Sequence, residues 1–125
     1  MQPIVERTLI VGIELTGRQY SRTSDSEPYV NTEESLEELA TLAESAGAVV
    51  VDRIIQTRPA IDPATLLGSG KVGEIHGRIE ADHIDTVIFD HELTPTQLRN
   101  LERRLTIKTL DRTQLILDIS GYFAP

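Results

Sequence analysis

The stretch from Thr86 to Leu105, TVIFDHELTPTQLRNLERRL, carries the reading that decides the fold. Thr86–Asp90 is a compact, β-branched apolar run, the pattern of a buried strand. Four residues later Thr94-Pro95-Thr96-Gln97 supplies a helix start: a Thr cap, Pro in the first turn, and Gln three residues after the cap. Leu98, Leu101 and Leu105 then recur at helical spacing. A strand, a short turn and an amphipathic helix in immediate succession form half of a β-α-β unit.

The same alternation extends in both directions. Arg7–Leu15 (RTLIVGIEL) and Ala48–Gln56 (AVVVDRIIQ) read as strands. Between them, Asn31 or Thr32 caps a helix whose apolar face is Leu36, Leu39, Ala40 and Ala43, and Gly47 stops it in a left-handed cap. Residues 16–31 are polar, without periodicity, and are expected to form a mobile loop. Thr57–Ser69, with Pro59, Pro63 and Gly68, reads as loop. A helix is expected over 70–81 on Val72, Ile75 and Ile79. Ile107–Leu110 reads as a fourth strand, and Thr113–Ile119 as the start of a last helix. The order βαβαβαβ implies parallel pairing, so the expected fold is α/β: a three-layer α/β sandwich around a small four-stranded parallel sheet. One domain covers 1–119, and 120–125 is a divergent tail.

The chain has 125 residues, a formal net charge of −8 and no cysteine. Disulfides, thiolate metal sites and thiol nucleophiles are thereby excluded. No apolar run reaches the length of a membrane span, so the expectation is a soluble, cytoplasmic protein without membrane contact. Charge is unevenly spread. Asp25–Ala46 holds seven acidic residues and no Lys or Arg, whereas Pro95–Arg112 holds five basic residues (Arg99, Arg103, Arg104, Lys108, Arg112) against two acidic ones. Such asymmetry orients a partner even when the total charge repels it. The plain alternative is a solvated helix face.

In open parallel sheets ligands sit beyond the carboxyl ends of the strands, and three constellations fall there. Gly68-Ser69-Gly70-Lys71 has the look of a phosphate loop. A Walker loop, however, needs Gly where Thr65 stands and Ser or Thr where Val72 stands. Asp90-His91-Glu92 leaves the third strand, where a carboxylate can hold magnesium if Glu14 or Asp111 converges on it. The simpler expectation is that Asp90 bonds loop amides. Asp111 is placed to cap the last helix, and Arg112 to pair with a carboxylate or reach a phosphate. His76, His83 and His91 lack ligand spacing, and no Gly-x-Ser-x-Gly occurs; no metal site and no catalytic residue is expected.

Three ordered stretches carry a family resemblance. Asp62–Ile75 (DPATLLGSGKVGEI), Phe89–Glu102 (FDHELTPTQLRNLE) and Leu110–Ile119 (LDRTQLILDI) resemble the amino-terminal domain of the HflX-type GTPases. The matching motif positions include Asp90, Pro95, Gln97, Asn100, Asp111 and Thr113. The resemblance implies a ribosome-associated module that contacts the large subunit and its rRNA; on charge, the basic stretch Arg99–Arg112 is the physical candidate for the phosphate contact. It also implies that GTP and magnesium belong to a downstream GTPase domain absent from these residues, so this chain is expected not to hydrolyse GTP. The alternative is an ATP-binding or weakly ATP-hydrolysing domain using Gly68, Gly70 and Lys71. Ser120 replaces the family's Phe, and the sequence departs from the family's Arg-rich continuation there.

Overall fold

The computed structural model describes residues 6–16 and 31–119. Most of the loop expected over 16–31, and the tail 120–125, lie outside them. Four strands, β1 (Arg7–Leu15), β2 (Val49–Arg58), β3 (Thr86–Phe89) and β4 (Lys108–Asp111), form one sheet in the order β2-β1-β3-β4. All three pairings are parallel. The helices between and after them are α1 (Thr32–Ser45), α2 (Ser69–Ala81), α3 (Pro95–Leu105) and α4 (Arg112–Ile119).

Strand alternation sorts β1 into two cores. Leu9, Val11 and Ile13 join Val72, Ile75, Ile79, Leu101 and Leu105 of α2 and α3. Ile10 joins Leu36, Leu39, Ala40 and Ala43 of α1 and Leu115 of α4. The sheet is thus covered on both faces, as a parallel sheet requires, and the three-layer expectation holds. Gly12 faces α1, where an added Cβ would lie 3.0 Å from a Leu36 methyl.

Capping follows the residues that announced it. Asn31, not Thr32, accepts from the Glu33 and Glu34 amides. Gly47 takes φ +96° just beyond α1. Thr94 and Gln97 form the full capping box of α3.

Boundaries moved where pairing outlasted composition. β2 runs on through Thr57 and Arg58 because Glu14 and Leu15 pair with them. The fourth strand is shifted by one residue and includes Asp111, which pairs with Phe89. The 57–69 loop contains a tight turn in which Asp62 and Leu66 exchange backbone hydrogen bonds, with Leu66 at φ +68°. No helix among the described residues is long and apolar enough to cross a membrane.

Candidate nucleic-acid interface

Helix α3 presents two polar stripes with different fates. The inward stripe is Gln97, Asn100 and Arg104. Gln97 Nε2 donates to the Asp62 carbonyl at 3.0 Å, Asn100 Nδ2 to the Ala64 carbonyl at 3.0 Å, and Arg104 to the Ser69 carbonyl at 3.2 Å. Together they tie the 59–68 loop and the start of α2 to α3. The outward stripe is Arg99 and Arg103, both exposed, neither with an ion-pair partner among the described residues.

The remaining members of the basic stretch are engaged inside the domain. Lys108 Nζ lies 3.5 Å from Glu6. Arg112 turns inward across the carboxyl end of the sheet, donating to Asp90 Oδ1 at 2.7 Å, Ser35 Oγ at 3.1 Å and Glu38 Oε2 at 3.2 Å. Asp90 therefore holds a guanidinium rather than the loop amides expected for it. Its side chain is only 7% exposed, so the carboxylate is largely shielded from water.

Asp111 does cap α4: Oδ1 accepts from the Gln114 amide at 2.9 Å, while Oδ2 accepts from the Leu93 amide at 3.0 Å. Pro95 opens α3 at its first position, and Thr113 is exposed at the start of α4. Glu14 and Asp111 do not join Asp90 in a metal-binding group; among the described residues no such group of three His, Asp or Glu side chains occurs.

The Gly68–Lys71 turn is bound up in its own surroundings. The Gly68 amide donates to Gln56 Oε1 at 3.1 Å, and Lys71 Nζ pairs with Glu74 at 2.7 Å. Val72, where a phosphate loop places its metal-holding hydroxyl, is buried in the core. Asp62, just upstream, accepts from the Ala64 and Thr65 amides, and those bonds hold its carboxyl below the usual range. Ser35, Glu38 and Gln56 escaped the sequence reading because each meets its partner across a layer, at separations no local pattern encodes.

Loop and sheet end together define an open parallel α/β domain, cross-braced by its own side chains. A family model described as "GTP-binding GTPase N-terminal" matches residues 33–124. The chain belongs to that family, in its HflX-type branch. It is 43% identical over 119 residues to a GTPase HflX of Lacrimispora saccharolytica, covering 95% of this chain and 26% of that protein. It is 43% identical over 86 residues to the GTPase HflX of Escherichia coli, covering 69% and 20% respectively. The chain thus spans between a fifth and about a quarter of the length of these curated relatives. A GTP-binding protein from Sulfolobus solfataricus, solved in complex with GDP, shares the fold with a TM-score of 0.59 at 20% identity, over 92% of this chain and 30% of that one.

Proposed function

We propose that this domain is the ribosome-docking part of an HflX-type GTPase, acts in the cytoplasm, and meets rRNA phosphates through the outer face of α3. The observation that carries the reading is the pair of exposed guanidinium groups of Arg99 and Arg103, without an ion-pair partner among the described residues, on a helix whose other polar stripe is consumed internally. Arginine is suited to this contact because its planar fork matches phosphate geometry and stays charged. Arg104 and Lys108 flank the pair but are already engaged, and Arg112 serves the sheet end.

GTP, which the relatives' name gives for those longer proteins, and the magnesium expected with it are placed by this reading outside the Gly68–Lys71 turn. The Gly68 amide, the Lys71 ammonium and position 72 are all committed to internal contacts. We assign nucleotide hydrolysis to sequence outside these residues.

Co-sedimentation with large ribosomal subunits over a salt series tests the docking role. With two phosphate contacts the slope of log affinity against log salt should be roughly −1.4 to −1.8, and Arg99→Gln with Arg103→Gln should bring it near zero. Undiminished binding by that double variant would remove the basic face from consideration. Titration with ATP, with and without magnesium, should give no heat; saturable heat lost in Lys71→Ala would favour the nucleotide-binding alternative.

A further inference from the structure

Among the described residues the sheet ends on one side at β2, a ten-residue strand whose one pairing partner there is β1. Two bonds set which backbone groups face outward. The Val49 amide donates to Glu6, and the Arg58 carbonyl accepts from the Thr16 amide, so both positions point toward β1. The β1–β2 register skips Val51, since Thr8 pairs with Val50 and Leu9 with Asp52. Beyond that bulge, alternation turns the amides and carbonyls of Arg53, Ile55 and Thr57 away from β1, toward the free edge. The Arg53 amide is already taken by Asp52 Oδ1 at 2.7 Å. Ile55 and Thr57 keep theirs available among the described residues.

The side chains of Arg53 and Ile55 meet α1 in a groove of about 280 Å³, with Leu36 and Ile55 as its apolar surface and Glu33, Glu37 and Arg53 as its rim. Helix α1 adds Glu34, Glu38 and Glu44 and carries no basic residue. A free strand edge, an apolar groove beside it and a predominantly acidic helix above it lie together. We infer that the Arg53–Thr57 edge accepts an extended, basic polypeptide segment as an added strand, with an apolar side chain over Ile55 and Leu36 and a Lys or Arg against Glu33 and Glu37.

Strand addition draws affinity from the backbone and specificity from alternate side chains. The charges here select the partner. A second copy would bring its own Arg53 and its own acidic α1 against the same groups, and each chain carries a net charge of −8, so self-pairing is opposed. The bulge at Val51 disrupts the ladder above Asp52, confining pairing to the lower half of the strand.

The test uses the full chain and a nonapeptide alternating lysine with valine and threonine, followed by amide NMR and hydrogen exchange. The Ile55 and Thr57 amides should shift and gain protection, and Glu33→Gln with Glu37→Gln should weaken binding about tenfold. Thr57→Pro, which removes only an outward N–H, should abolish binding with the melting curve retained. The exposed glutamate pair keeps the test decisive if that proline unfolds the strand. Equal binding of a glutamate-for-lysine peptide, absence of change at Ile55 and Thr57, or concentration-dependent protection of those amides without peptide would each overturn the inference.

Discussion

The guanidinium of Arg112 lies 2.7 Å from the carboxylate of Asp90, bridging the ends of β4 and β3, and the same side chain reaches Ser35 and Glu38 on α1. Three segments distant in sequence are thereby held at the carboxyl edge of the sheet, in the region where related architectures place ligands. Truncation here leaves a shielded charge behind. Arg112→Ala should destabilise the domain by about 2–3 kcal/mol, because Asp90 loses its counter-charge while remaining largely out of water. Arg112→Lys should recover only part of this, since an ammonium cannot span three acceptors with a planar fork. Urea denaturation of both variants measures the difference.

Gln97 serves two structures at once. Gln97→Ala removes half of the α3 capping box and the bond to the Asp62 carbonyl, and a loss of about 1–2 kcal/mol is expected. Hydrogen exchange should quicken at Leu66, whose amide bonds Asp62 in the turn that Gln97 steadies. Equal exchange in both proteins would mean the turn holds itself.

Gly12 sets the distance between β1 and α1. Gly12→Val would drive a branched side chain into Leu36, itself fully buried, and should cost about 1–3 kcal/mol through overpacking. Thermal denaturation reads this, and Leu36→Ala in the same chain should relieve part of the strain.

Acid should weaken the fold through two named carboxylates. The hydrogen bond from Arg78, then that from the Arg53 amide, holds Asp52 below its ordinary value; the Ala64 and Thr65 amides do the same for Asp62. In each case the unfolded chain takes up a proton at a higher pH than the folded one. Their contribution is therefore present above the ordinary carboxylate range and lost as pH falls through the lowered folded values. Stability measured from pH 6 down to pH 2 should fall less steeply in Asp52→Asn than in the parent chain.

Much of this architecture was legible because it is written locally. The caps at Asn31, Thr94 and Gly47 and the apolar spacing of α1, α2 and α3 depend on neighbours within a few residues. Strand ends were less legible: nothing in Thr57 and Arg58 announces a strand until β1 is seen beside them. The basic stretch shows the same limit more sharply. Five cations are adjacent in sequence, but Arg99 and Arg103 face solvent while Arg112 crosses the sheet to meet Glu38 of α1, 74 positions away. Composition registers charge; only the folded chain says which charges are already answered.

The unequal cores on the two sides of the sheet have a mechanical consequence. Among the described residues, fifteen buried hydrophobic side chains pack on the side of α2 and α3, and seven on the side of α1 and α4. A pull transmitted along the chain through the end of α4 would load the thinner side, peeling α4 and then α1 from the strands while the thicker side kept its packing. Stretched from that end, the domain is expected to yield in stages, shedding one cover before the other.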